Sequence, residues 1–186
     1  MTGGHGTEDD AGDVVGFLMA QHQQVRELLD DVLRAGGQER QQYFDQAREM
    51  LARHETGEEM IVRPLTRKAP DGGAVADARM AEENEAKEVL AGLEKMDVDS
   101  ERFVSTFTAF RQSVLDHAQA EERDEFPLLR QNTDPDALAK ARDRVERAER
   151  MAPTHPHPGV RTTTADYVAG PFVAMLDRAR DVLSRG

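Results

Sequence analysis

The residues best suited to chemistry in this sequence form two copies of one short motif. His54 is followed by Glu58, and His117 by Glu121, and each copy continues into the dipeptide Pro-Leu at the same distance from the histidine. On an α-helix, residues i and i+4 lie on the same face, so each pair could bind one metal ion or bridge two neighbouring ions. The chain contains no cysteine, so any metal must bind through nitrogen and oxygen atoms.

The other two helices that such a site needs carry a second internal repeat. Residues 22–29 align with residues 83–90, and this alignment puts His22 in register with Glu83. Both lie between apolar residues at helical spacing, so both would point toward the interior of a helical bundle. The predicted interior therefore contains three histidines and three glutamates.

The motif residues lie on the apolar faces of their helices. Those faces are Ala47, Leu51, His54, Glu58, Ile61 and Leu65, and Phe107, Phe110, Val114, His117, Glu121 and Leu128. A charge buried in an apolar bundle without compensation costs several kcal/mol, so the carboxylates must be protonated, paired or bound to cations. A pair of metal ions would satisfy the carboxylates and the histidines together.

Simpler interpretations exist for individual residues. A single buried histidine is usually a hydrogen-bonded core residue, and this applies to His22 taken alone. Glu83 follows Glu82 in a run of charged residues, which is typical of a solvated helix face. Glu59 and Glu122 fall off the apolar faces, and we expect them to be surface groups or hydrogen-bond partners of the ligating histidines. Two copies of the motif in matching register favour the metal site.

The hydrophobic pattern predicts the helices that would position these residues. Apolar residues recur at helical spacing over residues 13–35, 44–65, 76–93 and 103–128, with Ser100 as the N-cap of the fourth helix. Short connections imply antiparallel neighbours, so we expect an all-α fold, an up-down-up-down four-helix bundle.

Three segments make up the predicted domain organisation. Residues 1–12 are expected to be a disordered N-terminal end, 13–132 the bundle, and 133–186 a C-terminal helical extension. The extension would contain a helix over 138–148, a Pro/His-rich linker and a last helix over 167–183.

The bundle and its motifs resemble the hemerythrin-like family, whose HHE domain holds a di-iron centre in a four-helix bundle. The resemblance covers residues 13–129 and implies that the metal ligands are His22, His54, Glu58, His117 and Glu121. It further implies that Glu58 and Glu121 bridge two iron ions, which an oxo or hydroxo group could also join.

Glu83 departs from this family pattern, which commonly has histidine at that position. Glutamate is also a good ligand for iron or manganese, so we expect a six-ligand site that includes Glu83. Its added negative charge should stabilise ferric iron, which favours activation of oxygen or peroxide over reversible oxygen transport. Imidazole and carboxylate ligands do not select a metal by themselves, so manganese or zinc is the less favoured alternative to iron.

The resemblance and the carboxylate-rich ligand set lead to a function with oxygen species. We expect O2, H2O2 or NO as small ligands and catalase-like or peroxidase-like degradation of peroxide as the activity, with an apolar wall of Phe103, Phe107 and Phe110 limiting water access. The alternative is a non-catalytic oxygen or nitric oxide sensor, an oxygen carrier or an iron-holding protein. The sequence identifies no separate catalytic residue.

Composition narrows the range of partners. The net charge of -12 and the pI near 4.9 provide no electrostatic basis for binding nucleic acid or anionic membranes. The N-terminal end has neither the basic nor the apolar region of a signal peptide, so we expect a cytoplasmic protein. No feature of the sequence identifies a protein partner.

Overall fold

The computed structural model describes residues 12–152 of the 186-residue chain, and this part is helical with no strand. The helices are Val14–Arg34 (α1); Gly37–Gly57, Glu58–Val62 and Arg63–Thr66 (together α2); Gly72–Leu93 (α3); Glu101–Ala120, Glu121–Glu125 and Phe126–Asn132 (together α4); and Pro135–Glu149 (α5). No helix within residues 12–152 is long and apolar enough to cross a membrane. The predicted N-terminal end, linker and last helix lie outside the described residues.

Side-chain caps begin α1, α4 and α5. Asp13, Ser100 and Asp134 each accept a hydrogen bond from a backbone N–H of the first helical turn, at 2.8, 3.1 and 2.9 Å. Such caps satisfy N–H groups that have no partner within the helix. The structure thus has Ser100 at the N-cap position that the sequence predicts.

Each of the two motif helices, α2 and α4, contains one π-helical turn. The turns start at Glu58 and Glu121, and each is followed closely by a proline, Pro64 or Pro127. Proline cannot donate a backbone hydrogen bond, and in a regular α-helix its ring would clash with the carbonyl four residues earlier. The N–H of Arg63 instead donates to the carbonyl of Glu58, five residues back. This wider turn changes which later side chains face the interior.

The interior of the bundle contains two apolar clusters with a polar layer between them. The phenylalanine cluster includes Val25, Leu29, Val32, Phe44, Leu51, Leu90, Leu93, Phe103, Phe107 and Phe110. The α5 cluster includes Val14, Leu18, Ile61, Val62, Phe126, Leu129, Leu138 and Val145. Because α1 runs toward the phenylalanine cluster, α2 away from it, α3 toward it and α4 away from it, successive helices are antiparallel. The predicted all-α bundle is confirmed.

The fifth helix packs against α1 and α2. It passes close to Gly57, where a Cβ atom would lie 2.7 Å from Cγ1 of Val145. Interiors packed this closely have no room for an added methyl group without movement of a neighbour. The approach brings Glu149, the last residue of α5, to the polar layer of the bundle.

Candidate metal centre

All six side chains that the sequence predicts as metal ligands lie together in the polar layer. They come from all four bundle helices: His22 from α1, His54 and Glu58 from α2, Glu83 from α3, and His117 and Glu121 from α4. Glu58, Glu83 and Glu121 are fully or almost fully buried. The six residues form two overlapping groups that share Glu58 and Glu121, and each group could hold a metal ion.

The first group, here called the histidine-rich half, consists of His22, His54, Glu58 and Glu121. One potential ligand atom from each residue lies within 4.8 Å of the others. Nε2 of His22 is 3.2 Å from Oε2 of Glu121, and Nε2 of His54 is 3.5 Å from Oε1 of Glu58. Two imidazoles and two carboxylates form a donor set suited to a divalent transition metal.

The second group, here called the carboxylate-rich half, consists of Glu58, Glu83, His117 and Glu121. Nε2 of His117 is 3.1 Å from Oε1 of Glu121. This half uses the opposite oxygen of Glu121 from the histidine-rich half, as expected for a carboxylate placed between two cations. One imidazole and three carboxylates make it the harder and more anionic of the two halves.

Each of the three histidines is oriented by a hydrogen bond at its other ring nitrogen. Nδ1 of His22 bonds to Glu122 and Nδ1 of His117 to Glu82, each at 2.8 Å. A carboxylate can only accept, so Nδ1 carries the proton and Nε2 is directed to the interior. Such outer contacts fix the orientation of metal-binding imidazoles. Glu122 is thus a hydrogen-bond partner of a histidine, one of the two roles predicted for it.

His54 is held through a longer chain of contacts that reaches α5. Nδ1 of His54 donates to Oε1 of Gln21 at 2.8 Å, and Nε2 of Gln21 donates to Oε1 of Glu149, also at 2.8 Å. All three side chains are buried. No sequence pattern indicates this link, because Gln21 and Glu149 are separated by more than 100 residues and belong to no shared motif.

A buried arginine, Arg63, lies against the carboxylates of the centre. Its Nη2 donates to Oε1 of Glu83 at 2.5 Å, to Oε2 of Glu58 at 3.3 Å and to Oε1 of Glu121. Its Nη1 donates to Oε2 of Glu125 at 2.5 Å. The Arg63 side chain is 2% exposed. The guanidinium therefore compensates the negative charge that Glu83 adds. This charge was expected from the sequence to stabilise ferric iron, and that expectation did not include Arg63.

Arg63 was not predicted to be an interior residue, for a geometric reason. At 3.6 residues per turn, a residue five positions after Glu58 would lie about 140° around the helix from it. The π turn makes one circuit with an extra residue and returns Arg63 to the interior. Glu125 was detectable, since it follows Glu121 by four residues, and its Oε1 accepts the hydroxyl hydrogen of Thr66.

Burial and neighbouring charges shift the pKa values of the centre in opposite directions. Burial raises the pKa of Glu58 well above its usual range, and the adjacent Glu121 raises it further. Burial also acts to raise the pKa of Glu121, but His117 and Arg63 outweigh it and hold that pKa well below its usual range. Burial lowers the pKa of His54 to about 3, so Nε2 of His54 keeps its lone pair at neutral pH.

The donor atoms of the centre fit a bound cation. Nε2 of His22, Oε1 of Glu58 and Oε2 of Glu121 are buried and have no hydrogen-bond partner among residues 12–152. The same holds for Oε2 of Glu83 and Nε2 of His117. Buried polar atoms are normally hydrogen-bonded. These five atoms instead face one another, with Glu121 oxygens 3.2 Å from His22 and 3.1 Å from His117 but without hydrogen-bond geometry, so together they indicate a site for a ligand. Their chemistry, nitrogen and carboxylate oxygen, is that of a metal site.

A cavity of about 320 Å³ adjoins the centre. His22, His54, Glu83 and His117 are among its lining residues. Its other lining residues include the buried apolar side chains of Val25, Leu51 and Val114. Its outer edge is lined by exposed residues of α3 and α4, namely Glu85, Val89, Ser113 and Asp116. The cavity therefore connects the centre with the surface between α3 and α4.

The phenylalanines do not form the predicted wall of this cavity. Phe103 and Phe107 pack edge-on against Phe44, and Phe110 packs against Phe107, all within the phenylalanine cluster. None of the three is among the lining residues of the cavity within the described chain. The ring that contacts the centre is Phe126, which stacks on His22 with 5.6 Å between ring centroids. Smaller aliphatic side chains line the cavity instead.

Comparison with known proteins places this geometry in a family. Residues 13–129 match the family model described as the hemerythrin HHE cation binding domain. The chain is also similar to an uncharacterized hemerythrin-like protein of Schizosaccharomyces pombe, with 28% identity over 138 residues, 73% of this chain and 68% of the relative. No solved structure matches. On the family match, which spans all four bundle helices and all six residues of the centre, the chain belongs to the hemerythrin HHE cation-binding family.

Proposed function

We propose that this protein holds two iron ions in its six-residue centre and uses them to bind or reduce oxygen species, with the breakdown of hydrogen peroxide as its activity. The observation that carries the proposal is the set of unpartnered imidazole and carboxylate atoms beside a cavity of about 320 Å³. A pair of redox-active ions, when bound, supplies two-electron exchange with a small oxygen species. Manganese or zinc would bind the same donors.

The protein's own residues supply position and environment. Glu122, Gln21 and Glu82 orient His22, His54 and His117 through their Nδ1 atoms, so that the Nε2 atoms converge. Orientation by such partners normally changes metal affinity or activity by about 10–100-fold. These three side chains therefore support a centre with fixed ligand geometry.

The cavity supports a small substrate. A volume of about 320 Å³ is at the lower limit of small-molecule pockets, and aliphatic side chains contribute much of the lining. O2, H2O2 and NO are small and carry no net charge, so they could cross such a lining without the desolvation penalty of an ion. The acidic surface of the chain would disfavour anionic substrates.

The first experiment is metal analysis and absorption spectroscopy of the full chain purified in air. We expect close to two irons per chain, and loss of iron in the double variant His54→Ala/His117→Ala. A control with two exposed substitutions on α1 and α4, Gln23→Ala/Gln112→Ala, should retain the metal. Less than about one iron per chain, unaffected by loss of the two histidines, would refute the iron centre.

The second experiment separates the functions. The iron-loaded protein should convert two H2O2 into two H2O and one O2, measured with an oxygen electrode, and the histidine double variant should not. A reversible spectral response to O2 or NO without peroxide consumption would show a carrier or sensor instead. Bound iron with neither response would leave an iron-holding role.

A further inference from the structure

We propose that Arg63 makes the two halves of the metal centre unequal. The histidine-rich half binds the first cation, and the carboxylate-rich half takes a second cation only at higher metal concentration, against the charge of the Arg63 guanidinium. The inference rests on the proposed function in one respect, namely that the six-residue centre binds cations.

On the two carboxylates that both halves share, Glu58 and Glu121, Arg63 contacts the oxygen that does not face the histidine-rich half. Its Nη2 donates to one oxygen each of Glu58, Glu83 and Glu121, the three carboxylates of the carboxylate-rich half. The oxygens that face the histidine-rich half, Oε1 of Glu58 and Oε2 of Glu121, receive no hydrogen bond from the described residues, and neither does Nε2 of His22. The guanidinium thus occupies carboxylate oxygens that a second cation would need as ligands. It leaves the ligand atoms for the first cation without such a contact.

Arg63 is held in this position on both sides of its guanidinium. Nε donates to Glu83 at 3.0 Å, and Nη1 donates to Glu125 at 2.5 Å. Glu125 is itself fixed by the hydroxyl of Thr66, and all of these side chains are buried. Arginine remains charged under all ordinary conditions, so the guanidinium cannot leave the charge balance by losing a proton.

The consequence for a second cation is electrostatic. Like charges a few ångströms apart repel strongly inside a protein, where the effective dielectric constant is far below that of water. In the carboxylate-rich half, Oε2 of Glu83 and Nε2 of His117 make no hydrogen bond within the described residues and can still act as metal ligands. The binding of a second ion is therefore weakened and not excluded. Arg63 is therefore a positioning residue that sets the order and the relative affinity of the two ions.

The test is a titration of the metal-stripped full chain with Mn²⁺ alone, by equilibrium dialysis with metal analysis and by electron paramagnetic resonance. In wild type, the dissociation constants of the two binding steps should differ by at least about tenfold. The unit charge of Arg63, a few ångströms from the second ion, readily supplies such a factor. Arg63→Gln should bring the steps closer, and the signal of a coupled Mn²⁺ pair should appear at lower loading. Arg67→Gln, which removes an exposed arginine just after the end of α2, should behave like wild type.

Two further sets of variants keep the test independent of folding. Arg63→Gln/Glu125→Gln removes one positive and one negative charge together, so the buried net charge is unchanged, and it should also bring the steps closer. In proteins that retain Arg63, His54→Ala should abolish the tight step, whereas Glu83→Gln should change only the weak step.

The outcomes separate this inference from the proposed function. Two equal steps in wild type, or steps equally far apart in wild type and in both Arg63 variants, would overturn the inference and leave the metal centre intact. Loss of the tight step in Glu83→Gln would also overturn it, because the order of binding would be reversed. Absence of any Mn²⁺ binding in wild type would overturn the centre itself.

Discussion

The link from α5 to His54 gives a prediction that can be worked out from individual contacts. In Gln21→Leu, Nδ1 of His54 loses its acceptor and Glu149 loses its donor, each from a bond of 2.8 Å between buried side chains. Leucine has a similar size, so the packing of α1 should change little. The change therefore removes hydrogen bonds and leaves the core filled.

The expected magnitude follows from what remains unpaired. A buried N–H left without an acceptor costs roughly 1–3 kcal/mol, and Glu149 adds a smaller cost because Arg53 lies 3.9 Å away. The free energy of unfolding of the metal-free protein should fall by about 2–3 kcal/mol. Metal affinity should fall by about 10–100-fold, because His54 loses its fixed orientation.

The assay combines urea unfolding of the metal-free chain with metal competition against a coloured chelator. Gln23→Leu is the matched control, since Gln23 lies on the same helix and makes an exposed hydrogen bond of 2.8 Å to Glu27. Its stability and metal affinity should stay close to those of wild type.

A double variant tests whether the hydrogen bonds themselves are responsible. Gln21→Glu/Glu149→Gln keeps an acceptor for the N–H of His54 and exchanges the donor and acceptor between the other two positions. It should recover most of the metal affinity that Gln21→Leu loses. The reasoning would be wrong if Gln21→Leu bound metal as tightly as Gln23→Leu, or if the exchange recovered nothing.

Two other predictions concern packing and pH. Gly57→Ala forces a methyl group against Val145 and should lower the free energy of unfolding by about 1–3 kcal/mol in a urea titration. Gly73→Ala is the control, because a Cβ at Gly73 meets open space, and it should not lower this free energy. Equal effects of the two substitutions would contradict the packing argument. Burial lowers the pKa of His54 from 6.5 to about 3, so below pH 6.5 the unfolded chain takes up a proton that the folded chain does not. As pH falls toward 3, the free energy of unfolding of the metal-free wild type should fall by up to about 1.4 kcal/mol per pH unit more than that of His54→Gln. Parallel plots of this free energy against pH for the two proteins would refute the shift.

The fold and the composition of the centre were accessible from the sequence because both depend on local periodicity. The spacing of four residues in His54 and Glu58 places both on one helix face, and the apolar residues around them identify that face as the interior. The apolar patterns fall within the observed helices, but α2 begins at Gly37 and α3 at Gly72, ahead of Phe44 and Ala76, the first apolar residues of their patterns. There, polar and small residues carry the first turns, and a hydrophobic pattern does not detect them.

The sequence suggested Glu122 as a partner for a histidine, but which side chain pairs with which histidine, and the cavity, were not accessible, because they depend on how the helices pack. Gln21, Glu82 and Glu122 each bond a histidine on another helix, and such pairs have no fixed spacing along the chain. The cavity likewise exists only between packed helices, with α3 and α4 forming its opening. Its aliphatic lining replaced the phenylalanines expected from the sequence.

The two internal repeats by themselves determined that three histidines and three glutamates share the interior of one helical bundle, because helix periodicity converts spacing directly into direction. Only the tertiary structure decided that Arg63 joins them. A π turn beside Pro64 rotates Arg63 inward, and four carboxylates from three helices surround it. The charge of the centre is thus set by packing, since the number of buried carboxylates near a guanidinium is not a property of any one segment.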